Sequence, residues 1–181
     1  MNLQGNDLSV EESRILQKEA GKSSSLPLLT TSGFSTLLLV FHPYYQGSFE
    51  YERLEDENAG GGRQMRIAFR HVRGTRSTSV LRLRGRDYPL DIEGTAWIDP
   101  ADGTIKRVDT RLKSPMEDLN LRSFTASVKY APQHFATVGE AEWLPVEATI
   151  DVETARQHWR NIHRFSDYKL FTVKSESTVS K

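Results

Sequence analysis

From Phe49 onward the chain alternates apolar and charged side chains with a period of two, and no other feature limits its fold as strongly. In "SFEYER", Phe49 and Tyr51 alternate with Glu50 and Glu52; in "QMRIAFRHV", Met65, Ile67 and Phe69 alternate with Arg66 and Arg70; in "SVLRLR", Leu81 and Leu83 alternate with Arg82 and Arg84. This period puts apolar groups on one face of a strand and charged groups on the other. Further strands are predicted at "TAWID", "TIKRVDTRL", "RSFTASVKYA", "WLPVEATIDV", "HWRNIHRF" and "YKLFTV". About nine strands with short turns and no helix between them describe an antiparallel meander rather than βαβ units.

The segment before this sheet reads differently. "SVEESRILQKEAGK" has Ser9 and Glu12 at capping-box spacing and Gly21 where a helix would stop. "KSSSLPLL" reads as a linker, and "TSGFSTLLLVFHP" places Phe34, Leu37, Leu38 and Phe41 at helical spacing before Pro43. The expected organisation is a helix and linker over 1–27, one β domain with a short helix over 28–176, and a tail over 177–181. The fold class expected is mainly β (α+β). Two short helices cover only part of one apolar sheet face, so the curved meander must curl on itself, dimerise or leave a greasy concavity.

Composition narrows the options mainly by exclusion. The 24 basic and 24 acidic side chains cancel, so no global field draws nucleic acid or an anionic membrane. Cysteine is absent, which removes thiol nucleophiles, thiolate metal sites and disulfides. No apolar run approaches the roughly 20 residues that span a bilayer. The N-terminus "MNLQGNDLSVEESR" lacks the layout of a signal peptide. The location expected is therefore periplasmic or secreted if a signal has been removed, and cytoplasmic if Met1 is the natural start.

Candidate chemistry is sparse. "IDPADGT" carries Asp99, Pro100, Asp102 and Gly103 in the order a tight turn needs: proline fixes φ, aspartates bond nearby amides, and glycine takes the left-handed position. The five histidines, His42, His71, His134, His158 and His163, show no zinc-binding spacing. There is no GxSxG elbow, SxxK motif or phosphate-binding glycine loop, and no cofactor is expected. The clearest anomaly is charge segregation. Arg63, Arg66, Arg70, Arg73, Arg76, Arg82, Arg84 and Arg86 form a stretch without an acidic residue, just after Glu50, Glu52, Glu55, Asp56 and Glu57. Pairing Phe49 with Phe69 would set Glu52 opposite Arg66 and neutralise the hairpin; otherwise Arg66, Arg70, Arg82 and Arg84 offer an anion-binding face.

"GTAWIDPADGTIKRVD", "SFTASVKYA", "EWLPVEATIDV" and "RNIHRFSDYKLFTVKSE", in this order and preceded by "TTSGFSTLLLVFHP", resemble a widespread group of secreted bacterial proteins found mostly in soil bacteria. The likeness covers roughly 28–176 and brings no established activity. More distantly, the turn and meander resemble the periplasmic lipoprotein carriers and outer-membrane lipoprotein receptors of the Lol system. That likeness implies a curved antiparallel half-barrel closed by helices around a cavity for acyl chains. The function expected is accordingly a non-enzymatic envelope protein that binds a lipid or another apolar ligand, or an envelope partner. Its concave face would be lined by Phe49, Tyr51, Met65, Ile67, Phe69, Leu81, Leu83, Phe124, Val128 and Tyr130. The alternative is an interaction scaffold using a sheet edge or the arginine face. A hydrolase using Asp99 or Asp102 with His158 or His163 is a more remote option.

Overall fold

The computed structural model describes residues 2–4, 7–9, 34–59, 62–83, 85–135, 139 and 141–169. A small hairpin, β1 (Asn2–Gln4) with β2 (Asp7–Ser9), comes first. The helix expected after Ser9 lies outside the described residues, as does "YKLFTV" beyond Lys169.

The apolar run before the sheet forms a 3₁₀ helix, Phe34–Phe41, followed by one α turn, α1 (Pro43–Gln46). Pro43 starts this turn, where its missing N–H costs nothing, and His42 Nδ1 accepts from Tyr44 N at 3.1 Å. The tighter winding moves the buried stripe. Leu37 and Val40, three residues apart, are buried together with Leu39, while Leu38 and Phe41 are only partly buried.

The main sheet is built from β3 (Phe49–Ala59), β4 (Gly62–His71), β7 (Ile92–Ile98), β8 (Ile105–Leu112), β9 (Leu121–Gln133), β10 (Glu142–Thr154) and β11 (His158–Arg164). Its order is β11-β10-β9-β8-β7-β4-β3, antiparallel throughout. It stays open, with β3 and β11 at its edges among the described residues. Irregular register at Leu54/Glu57, Trp97/Ile98, Pro145/Glu147 and Glu153/Thr154 bends the strands and supplies the curvature of a half-barrel. The strand expected at "SVLRLR" does form, as β5 (Val80–Leu83), but it pairs outside the main sheet with β6 (Arg86–Pro89). β6 has a charged, proline-ended sequence that carries little strand signal.

Directly paired residues share a face, so the register sorts the side chains. One face carries Phe49, Tyr51, Ile67, Phe69, Ala96, Val108, Thr110, Ala126, Val128, Ala148, Ile150 and Val152. Most of these are buried, and the 3₁₀ helix lies on this side: Phe41 packs against Phe69 and Tyr51, and the Tyr51 hydroxyl donates to the Val40 carbonyl. Each large side chain buried here contributes about 1.5–3 kcal/mol. Gly94 faces the same side opposite Phe69, whose ring occupies the space a β-carbon would need.

The β3–β4 register differs by two residues from the pairing inferred above. Phe49 stands opposite His71, Tyr51 opposite Phe69, and Arg66 opposite Leu54. Charge neutralisation therefore runs through other pairs: within the hairpin Arg63 pairs with Asp56 and Arg66 lies 3.7 Å from Glu57, while Arg70 reaches across to Glu93 of β7 at 3.4 Å.

Candidate functional site

The second face of the sheet carries three rows of side chains that run across the strands. The first is Glu50, Arg70, Glu93, Arg111, Thr125, Asp151 and Arg160; the second is Glu52, Ala68, Thr95, Asp109, Ser127, Thr149 and Ile162; the third is Leu54, Arg66, Trp97, Arg107, Lys129, Glu147 and Arg164. The middle row is made largely of short side chains between two rows of long ones. The result is a furrow, about 13 Å from ridge to ridge for rows four residues apart and about 19 Å from Ala68 to Thr149 across four strand spacings. A groove of about 630 Å³ lies here, with Ala68, Thr95, Asp109, Ser127 and Thr149 along its floor.

The groove's electrostatics are layered. Its carboxylates lie low and are paired. Glu93 takes Arg111 Nε at 2.9 Å and Arg70 Nε at 3.4 Å, Asp109 takes Arg107 Nε and the Ser127 hydroxyl each at 2.7 Å, and Asp151 takes Arg160 Nε at 3.1 Å. The guanidiniums stand higher: the Arg111 side chain is 70% exposed, against 18% for Glu93. Hydrogen bonding by Arg111, reinforced by Arg70, holds the Glu93 carboxyl below the usual carboxylate range. The hydroxyls of Thr95, Thr125 and Thr149 line the groove with no protein partner among the described residues. At one wall Trp97 is flanked by Arg66 and Arg107, 5.9 and 4.6 Å from its ring centre, and its Nε1 donates to Glu57 at 2.9 Å.

The apolar residues expected to line a ligand site are placed away from this groove. Phe49, Phe69, Val128 and Tyr130 are buried, while Met65, Ile67, Leu81 and Phe124 pack partly buried against the same core. Tyr51 is partly exposed but tied to the 3₁₀ helix, and Leu83 is exposed on β5. Only Phe69 of this set also borders the groove. The Tyr130 hydroxyl is buried without a partner among the described residues, and burial pushes its pKa up. Of the arginines proposed for anion binding, Arg70 lines the groove, Arg66 flanks Trp97, and Arg82 is paired with Asp87 at 2.6 Å; the Arg84 side chain lies outside the described residues.

Asp99 and Asp102 shape their turn. Asp99 Oδ1 accepts from Ala101 N at 3.0 Å, Asp102 Oδ1 accepts from Thr104 N at 2.8 Å, and Gly103 takes a φ of +75°. His158 and His163 sit on β11, at least three strand spacings or about 14 Å from this turn. His158 Nε2 is 3.2 Å from Asp151. Among the described residues, no group of three His, Asp or Glu side chains is arranged to hold a metal, and no helix is long and apolar enough to cross a membrane.

Apart from Arg70, the polar groove residues were hidden in the sequence because each reads as an ordinary outward-facing position. The available signal was the recurrence of one small polar residue at the outward position of successive strands, legible only once the register is known.

Fold and groove together define an open antiparallel sheet domain with one face filled by its core and the other furrowed and polar. Comparisons of the chain with protein-family models, with curated proteins and with solved structures find no match.

Proposed function

We propose that this chain is a non-catalytic binding domain whose ligand is polar and carries an anionic group, held in the furrow across β4, β7, β8, β9 and β10. The observation that carries the reading is the unpartnered Thr95 and Thr149 hydroxyls on the furrow floor, with Thr125 on the ridge beside Arg111, below outward-standing Arg70, Arg111 and Arg160. Such a floor offers hydroxyl donors and acceptors, and the rim offers spare guanidinium N–H groups for a carboxylate or phosphate. A non-catalytic role is supported by Glu93, whose carboxyl is held below the usual carboxylate range by Arg111 and Arg70, since a general acid needs a carboxyl that keeps its proton near neutral pH.

Native mass spectrometry of the full chain, followed by extraction, tests this. The expected result is a polar, acid-bearing adduct that is lost when Thr149→Trp fills the furrow. An adduct that persists in Thr149→Trp overturns the assignment.

A second reading places an acyl chain against the apolar face. It draws on the orphaned Tyr130 hydroxyl and on the partly buried Phe124, Trp143 and Trp159. Release of a lipid in the same extraction favours that reading.

A further inference from the structure

The arginine-rich stretch divides into two sets. Arg63, Arg66, Arg70 and Arg82 have acidic partners: Asp56, Glu57, Glu93 and Asp87 respectively. Arg73, Arg76 and Arg86 have none among the described residues, and all three are exposed. These three lie in residues 72–91, where the chain leaves the main sheet between β4 and β7.

This excursion is firmly attached. His71, buried at the end of β4, places Nδ1 3.1 Å from Asp91 and Nε2 3.2 Å from the Arg76 carbonyl. Val72 N donates to Ser48 O at 2.9 Å, and the Ser77 hydroxyl donates to Leu90 O at 2.7 Å. The Arg76 guanidinium lies 4.5 Å from the ring centre of Tyr44.

The excursion also gathers apolar surface. Among the described residues the exposed large hydrophobic side chains are Tyr44, Tyr51, Val80, Leu83 and Ile162. Val80 (52% exposed) and Leu83 belong to this excursion, and Tyr44 sits beneath its Arg76. Uncompensated cations interspersed with exposed aliphatic and aromatic groups match an interface that is anionic at the surface and apolar just below it.

We infer that residues 72–91, with Tyr44, dock this domain onto an anionic lipid surface. Arg73, Arg76 and Arg86 face the headgroup phosphates, and Leu83, directly opposite Arg86 in the β5–β6 ladder and so on its face, enters the boundary beneath them. The net charge of zero is no obstacle, because attraction over a Debye length of about 8 Å depends on the local set of charges. The inference uses none of the groove residues and does not depend on the groove's ligand.

The test is flotation of the full chain with phosphatidylglycerol/phosphatidylcholine vesicles and with phosphatidylcholine vesicles alone. Binding is expected only to the anionic vesicles, and it should weaken with salt. Each arginine removed by Arg73→Ala, Arg76→Ala or Arg86→Ala should reduce partitioning about fivefold, and Leu83→Ser should reduce it without changing net charge. The triple variant Arg53→Ala/Arg63→Ala/Arg122→Ala changes net charge equally at other places and should bind nearly as the parent does. Equal loss in this triple variant and in the combined Arg73→Ala/Arg76→Ala/Arg86→Ala variant, or no flotation of the parent, overturns the inference. Displacement from the vesicles by inorganic phosphate at constant ionic strength identifies a free-anion site and also overturns it.

Discussion

Gly94→Ala is the most exacting test of the packing described here. Gly94 does not have a left-handed backbone, so alanine is conformationally acceptable and the whole effect is steric. A β-carbon built on it runs into the Asp109 carbonyl oxygen of β8, lies 2.5 Å from Phe69 Cζ, and comes within 3.0 Å of Thr110 Cα. Two of these obstacles are backbone atoms of the paired strand, and they move only if the β7–β8 ladder opens. Overpacking of a well-filled core costs about 1–3 kcal/mol, and an obstacle made of backbone puts this case at the upper end, about 3 kcal/mol. For a chain of this size that corresponds to a fall in Tm of about 6–12 °C, read by circular dichroism or calorimetry. Adding Phe69→Leu removes the ring contact but not the carbonyl contact, so the double variant should lose less than the sum of the single changes. A Gly94→Ala protein melting within about 2 °C of the parent would refute the reasoning.

Two further predictions concern the two faces of the sheet. Because the Glu93 carboxyl is depressed by Arg111 and Arg70, its contribution to stability is complete above the usual carboxylate range. That contribution disappears as pH falls through the depressed value, since the unfolded chain takes up the proton first. The Tm gap between the parent and Glu93→Gln should thus be present at about pH 7 and shrink toward about pH 3; a constant gap contradicts the pairing. Tyr51→Phe removes the donor to the Val40 carbonyl and should cost about 1 kcal/mol. Amide exchange should then speed up in the 3₁₀ helix and stay unchanged in β8 and β9, and equal acceleration everywhere counts against a local anchor.

The alternating pattern was enough to place most of the main-sheet strands, because each has one buried face and one wet one. Register was not legible between β3 and β4. Their glycine-rich connection accepts several alignments, and the irregularity at Leu54/Glu57 inserts one residue that no periodicity reveals. The 3₁₀ winding of Phe34–Phe41 escaped for a similar reason: apolar residues at three- and four-residue intervals suit either helix, and packing on the sheet selects one. The turn at Asp99–Gly103 was readable because its geometry is local. The furrow was not, since it arises from five strands meeting in one register.

In the main sheet, most neighbouring strands succeed one another along the chain, and β4 with β7 is the pair separated by intervening strands. Joining them requires closing the loop formed by residues 72–91, and the entropy of that closure grows only logarithmically with length, by about 0.6 kcal/mol per doubling. That tolerance applies to the β5–β6 tip between Leu83 and Arg86, where the described residues make no core contact, and not to the roots of the excursion, where Ser77, Leu90 and Asp91 hold it to the sheet. Insertions at the tip can be absorbed while the hairpins on either side keep their alignment, which gives descendants of the fold a place to diverge.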